Sequence, residues 1–212
     1  MEALQPHLNL KALSLEWYEG VIFPHWLVSL TNLVQFKLYS CKKCQYPPLD
    51  QFPSLKIIHL NRLDCLDHIS NSERDNNDSL FYPSLEILYI WNCPNLKGWW
   101  RGRRDSLPSF PCLSSLYIRN CPQLTSFPLF PYLEILDLCK CSLKQSLERM
   151  MINNKTSGNL PSIASSSSST IVAPLSKLSY MRIEEALPEE CLPNLISLRT
   201  LFLFKCPLPQ GT

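Results

Sequence analysis

The sequence predicts an α/β repeat solenoid: a curved stack of coils with a parallel β-sheet on its concave face and a mostly irregular, helix-poor convex side. Three observations carry that expectation. The frame Leu-x-x-Leu-x-Leu, or a close apolar version of it, occurs eight times, starting at Leu10, Leu33, Leu55, Leu85, Leu113, Leu133, Leu178 and Leu198. Five copies continue to a cysteine three residues past the last apolar position, at Cys41, Cys93, Cys121, Cys141 and Cys206. An aromatic residue followed by proline precedes four copies, at Phe52-Pro53, Tyr82-Pro83, Phe110-Pro111 and Phe130-Pro131.

A self-similar unit of roughly 20 to 30 residues on this frame is the signature of a leucine-rich repeat. Each part of the unit has a physical reason. In Leu116-Tyr117-Ile118 the apolar residues alternate, so Leu116 and Ile118 share one face of a short strand. Leu113 turns into the same interior before the strand. Cys121 follows it, where a small buried residue with a weak thiol donor fits the bend. One coil buries too little apolar surface to fold alone, and stacked coils share a continuous core. Proline fixes its own φ and holds the preceding residue extended, which should aim Phe52, Tyr82, Phe110 and Phe130 inward as a row.

Along the chain, Leu10, Leu13 and Leu15 form the first coil, with Trp17, Tyr18, Phe23 and Trp26 expected to cover it. The phrases Cys93-Pro-Asn-Leu96 and Cys121-Pro-Gln-Leu124 turn the chain onto the convex side, where turns and short 3₁₀ pieces are expected. Two insertions break the rhythm. Residues Asn71 to Ser79 are polar and read as a surface loop. After the sixth coil, Leu143, Leu147 and Met151 have helical spacing, and the serine-rich stretch 153–170 has the composition of a disordered insertion. The whole chain, 1–212, reads as a single repeat domain. Its last coil ends without a polar cap, which suggests a piece of a longer solenoid.

Composition narrows the function classes. A formal net charge of +2 gives no global pull toward nucleic acid or membrane. No apolar run reaches membrane-spanning length. The first residues, Met1 to His7, lack a basic start and an apolar run, so no signal peptide is expected. Ten cysteines would suit a disulfide scaffold, yet half of them fall on the repeat frame. Free buried thiols explain those and favour a reducing, cytoplasmic compartment.

The outward positions of each strand form columns across the sheet. One column holds Ser14, Lys37, His59, Tyr89, Tyr117, Asp137, Arg182 and Phe202. The next holds Glu16, Tyr39, Asn61, Trp91, Arg119, Cys139, Glu184 and Phe204. Within them Tyr39, His59, Tyr89, Trp91, Tyr117, Arg119, Asp137 and Arg182 are the candidate protein-binding residues, since Tyr, Trp and Arg anchor interfaces. Other candidates are weaker. Cys41-x-x-Cys44 with Cys65-x-x-His68 has zinc-ligand form, but Cys41 belongs to the frame and should point inward, so no metal or cofactor is assigned. Lys97-Gly-Trp-Trp-Arg101-Gly-Arg-Arg104 resembles a clamp for single-stranded nucleic acid; a solvated loop between coils is the simpler reading. The histidines, His7, His25, His59 and His68, sit in no acid–base or nucleophile motif, and no catalytic signature occurs. The chain is expected not to be an enzyme.

Several phrases carry a family resemblance: Leu4-Gln-Pro-His7, Tyr18-Glu-Gly20, Phe23-Pro24, Trp26-Leu27, Leu30-Thr-Asn-Leu33, Cys41-Lys-Lys-Cys44, Pro53-Ser-Leu-Lys56, Pro83-Ser-Leu-Glu86 and Cys93-Pro-Asn-Leu-Lys-Gly-Trp-Trp100. In these the chain resembles the repeat region of plant nucleotide-binding leucine-rich-repeat disease-resistance proteins of the coiled-coil class. No Gly-x-x-x-x-Gly-Lys-Ser/Thr phosphate loop is present, so nucleotide binding does not carry over. The resemblance implies recognition of pathogen effectors, or of host proteins they modify, in plant defence. In a full-length relative it implies contact with the protein's own nucleotide-binding domain. Two other readings compete. A substrate-selecting adaptor of a ubiquitin ligase would need an N-terminal F-box, for which residues 1 to 9 leave no room. An extracellular receptor ectodomain would need a secretion signal and paired cysteine caps.

Overall fold

The structure, a computed structural model, describes residues 5–70, 82–100, 110–128, 130–143, 145–148, 175–184 and 195–204. The polar insertion, the serine-rich stretch, Met151, Arg101 to Arg104 and Cys206 lie outside them. Each of the eight frame copies forms one strand of a single parallel sheet. These strands are β1 (Ala12–Glu16), β2 (Gln35–Tyr39), β3 (Ile57–Asn61), β5 (Ile87–Trp91), β7 (Ser115–Cys121), β8 (Ile135–Cys141), β9 (Tyr180–Glu184) and β10 (Thr200–Phe204), neighbours in that order. The long step before Leu178 leaves the ladder unbroken, because β8 pairs directly with β9, Leu136 opposite Met181.

Register explains the core. Leu13, Phe36, Ile58, Leu88, Leu116, Leu136, Met181 and Leu201 stand opposite one another from rung to rung. From Phe36 to Met181 this column is fully buried, as are the leading leucines Leu33, Leu85, Leu113, Leu133 and Leu178. Frame cysteines Cys41, Cys93 and Cys121 are buried too. Their thiols donate to main-chain carbonyls: Cys41 Sγ to Leu15 O at 3.4 Å, Cys121 Sγ to Ile90 O at 3.7 Å. Cys141 is only partly buried, and burial pushes its thiol up to about 12. In the third coil the same position is filled by Leu63, also buried.

The aromatic row is present. Tyr82 and Phe110 stack at 6.0 Å, and Phe110 and Phe130 lie 5.2 Å apart. Phe52 packs edge-on against Phe36 at 5.5 Å. One detail departs from expectation: Tyr82 is not extended but has φ 49°, so proline does not set its conformation there. Two further departures concern tryptophans. Trp17 does not cover the first coil. It is 66% exposed, while Phe23 and Trp26 are buried. The Lys97–Trp100 segment is not a solvated loop. Gly98–Trp100 forms strand β6, which pairs in parallel with β4 (His68–Ser70) as a second, two-stranded sheet. Trp99 is fully buried there and its Nε1 donates to Ser126 O at 2.8 Å. Among the described residues the remaining convex pieces with helical geometry are 3₁₀ turns at His25–Ser29 and Leu49–Gln51, each entered from a proline, and a helical turn at 145–148.

Each of the first six rungs has a residue in the left-handed region at the end of its strand: Trp17, Ser40, Arg62 and Asn92 just after it, Asn120 and Lys140 one residue before its last, with φ between 51° and 56°. The turn keeps the backbone in the ladder. Ser40 N donates to Asn61 O at 2.8 Å, and Asn92 N to Arg119 O at 2.8 Å. Left-handed backbone strains residues with a Cβ, least so Asn. At Asn92 and Asn120 the side chains also form a ladder: Asn120 Nδ2 donates to Asn92 Oδ1 at 2.7 Å, and Asn92 Nδ2 to Asn61 Oδ1 at 3.1 Å. A β-branched residue at this position should lower stability by about 2 kcal/mol. Urea denaturation of Asn120→Val should show that loss with an unchanged slope. Asn120→Gly, which trades the amide bond for an unstrained turn, should lose under about 1 kcal/mol.

Candidate functional site

The register aligns the first expected column throughout and the second from Glu16 to Cys139. Lys37, His59, Tyr89, Tyr117, Asp137 and Arg182 stand opposite one another on successive rungs, and so do Tyr39, Asn61, Trp91, Arg119 and Cys139. In-register residues on neighbouring strands are about 4.8 Å apart. Flat rings in such a column must therefore stack. His59 and Tyr89 lie 4.2 Å apart with planes 17° from parallel, and Tyr89 and Tyr117 lie 4.5 Å apart at 10°. Tyr39 extends the row toward His59 at 6.5 Å, and Trp91 meets Tyr89 edge-on at 5.6 Å. Aromatic pairs of this geometry stiffen one another.

The next rungs change from aromatic to ionic. Asp137 is 3% exposed and accepts a hydrogen bond from Arg119 Nη2, while Arg182 Nη1 stands 3.8 Å from the same carboxylate oxygen. The Arg119 guanidinium lies 5.7 Å from the Trp91 ring and that of Arg182 lies 5.1 Å from the Phe204 ring, both within cation–π range. One carboxylate thus holds two arginines against two rings. Asp137 raises the Arg119 pKa. Asp137 Oδ1, Arg119 Nε and Trp91 Nε1 are buried with no hydrogen-bond partner among the described residues.

Titration is shaped by burial. Burial first, and then the charge of Lys37, bring His59 down from 6.5 to about 4. The imidazole is therefore neutral across the physiological range. Burial, and then Tyr89, raise the Tyr117 phenol.

A third outward column was not anticipated: Gln35, Ile57, Ile87, Ser115, Ile135 and Tyr180, in register. Its isoleucines are half-buried and make the entry side of the face apolar. The signal was available, since each lies two residues ahead of the first column, at the strand period.

Of the zinc-like residues, Cys41 and Cys44 are in hydrogen-bond contact with one another. Cys41 and Cys44 are buried with their thiols on main-chain carbonyls, and Cys65 is exposed. His68 lies at the start of β4, its Nδ1 3.3 Å from Asp67 Oδ1. Among the described residues no three His, Cys, Asp or Glu side chains form a metal-sized group. Of the nucleic-acid candidate, Trp99 is core and Arg101 to Arg104 lie outside the described residues.

Comparison with known proteins agrees with this architecture. Residues 1–63 match the family model described as R13L1/DRL21 LRRs. The chain is 35% identical over 153 residues to Putative disease resistance RPP13-like protein 1 of Arabidopsis thaliana, covering 67% of this chain and 14% of that protein. It is 33% identical over 105 residues to Putative disease resistance protein RGA1 of Solanum bulbocastanum, covering 46% and 10%. Over 214 residues it is 28% identical to Disease resistance protein RGA2 of the same species, covering 97% of this chain and 18% of that protein. The chain therefore spans less than a fifth of the length of each of these relatives. Frame, ladder and matches together identify it as a leucine-rich-repeat region of the plant disease-resistance type.

Proposed function

We propose that this chain is a non-enzymatic recognition module of plant defence, a single domain that grips a protein ligand with its concave face. The ligand class is a pathogen effector or a host protein that an effector modifies. In a longer protein of this type, its own nucleotide-binding domain is a second partner. Cytoplasmic residence belongs to this reading. Among the described residues no helix is long and apolar enough to cross a membrane.

The observation that supports this most is the continuous outward row from Tyr39 through His59, Tyr89 and Tyr117 to the Arg119–Asp137–Arg182 group. These residue types dominate interface energetics. They stand on paired strands and brace one another, so little side-chain freedom is lost on binding. A neutral His59 offers hydrogen bonding without the penalty of burying a charge.

Two measurements test the reading. The chain, expressed in leaf tissue under pathogen challenge, should capture a ligand that Tyr89→Ala/Trp91→Ala/Tyr117→Ala fails to capture. With that ligand purified, each single alanine should weaken binding by about 30-fold, the hot-spot range. Undiminished capture by the triple variant would remove the concave face from recognition. The second measurement is an NMR titration of His59, expected to protonate near 4. Its folded pKa lies below the unfolded value of 6.5, so the unfolded state takes up the proton first as pH falls. Its stabilising contribution is complete above pH 6.5 and is lost as pH falls toward 4. His59→Gln should lose less stability across that window than the parent chain.

A further inference from the structure

The left-handed residues at the strand ends of the first five rungs line a groove of about 470 Å³ that none of the concave-column residues lines. Trp17, Ser40, Arg62, Asn92 and Asn120, from five successive rungs, are among its lining residues. Lys42, Asp64 and Pro94, two residues further on in three of those rungs, complete the lining. Three properties point to an occupant. The first is length. Five rungs at about 4.8 Å span roughly 19 Å, which an extended chain of about six residues covers at 3.3 Å each. The second is charge. The lining holds Lys42 and Arg62 against one carboxylate, Asp64, a surplus of one positive charge, and neither cation enters an ion pair among the described residues. The third is Trp17. Its φ of 56° is close to that of the equivalent residue on the next five rungs, but it is an aromatic residue left 66% exposed in the groove lining. A large exposed aromatic face of this kind can stack on an aromatic side chain of a bound peptide.

We propose that this groove binds an extended acidic peptide segment bearing an aromatic residue. Its carboxylate pairs with Arg62 and Lys42, its ring stacks on Trp17, and its main-chain amides meet the Asn92 and Asn120 side chains. Those asparagine amides form a ladder with Asn61, so they present donors and acceptors at the rung spacing without reorganising. The site is separate from the concave face and does not rest on the function proposed for it.

The test uses the full chain and a capped hexapeptide alternating Glu and Phe, followed by fluorescence polarisation at low and moderate salt. Binding should fall with added salt. It should weaken about tenfold or more in Arg62→Glu and in a hexapeptide with Gln for Glu. Trp17→Gly should weaken it similarly while leaving thermal stability intact, because glycine accepts the left-handed turn. Tyr89→Ala, on the concave face, should leave it unchanged. The proposal is overturned by absent binding at millimolar peptide, by equal binding of the Gln peptide, or by an unaffected Trp17→Gly. Loss of binding in Tyr89→Ala would overturn it as well, since the peptide would then lie on the concave face.

Discussion

Every rung is buried by its neighbours. The frame supplies two inward side chains per strand, and the parallel ladder sets the next pair about 4.8 Å away. The dependence is visible within a single column. Phe36, Ile58, Leu116 and Leu136, each between two rungs, are completely enclosed, whereas Leu201, at the same frame position and beside one rung among the described residues, is 40% exposed. Residue type is not the cause, because Leu116, Leu136 and Leu201 are chemically identical. What differs is the neighbour, and this is why the stability of such a stack is a sum of nearest-neighbour interfaces.

The same spacing governs the outward side. Once Leu88 and Leu116 are held in register inside, Tyr89 and Tyr117 have no choice but to stack outside. The ring distances on the concave face thus follow from packing in the core. Asp137 is a more exacting case. Its burial would be costly for an isolated carboxylate, and it is sustained by arginines from the rungs on either side. Moving either rung by one residue would turn its arginine inward and leave that carboxylate short of a partner.

Much of this was legible in the sequence because it depends on two short periods. The frame gave the strands and their order, and the strand period of two gave the concave columns with Tyr89, Trp91, Tyr117 and Arg119 together. The left-handed turn column was not legible. Trp17, Ser40, Arg62, Asn92, Asn120 and Lys140 share a conformation without sharing chemistry, and no glycine marks them. The second sheet was hidden for another reason. His68–Ser70 and Gly98–Trp100 are three residues each, too short for a periodic signal, and they pair only because β3 and β5 have already been brought side by side. Trp99 and Trp100 show the limit of reading from residue type. They are adjacent and identical, yet Trp99 is enclosed and Trp100 half-buried, a distinction set by the alternation of a strand that the sequence did not announce.

The turn column also divides the surface. Before it, outward side chains stand on the sheet and are braced by rings on neighbouring rungs. After it, on the first four rungs, the chain has left the sheet, and side chains such as Lys42 and Asp64 line a groove beside the turns. A residue such as Arg62 contributes its main-chain N–H to the ladder, donating to Trp91 O at 3.0 Å, and its side chain to the groove. The ladder needs only the backbone of that residue. Substitutions there can alter the groove without touching either the core columns or the concave rings, provided the left-handed turn survives. One core therefore supports two surfaces whose chemistry varies independently, and the constraint they share is conformational, not chemical.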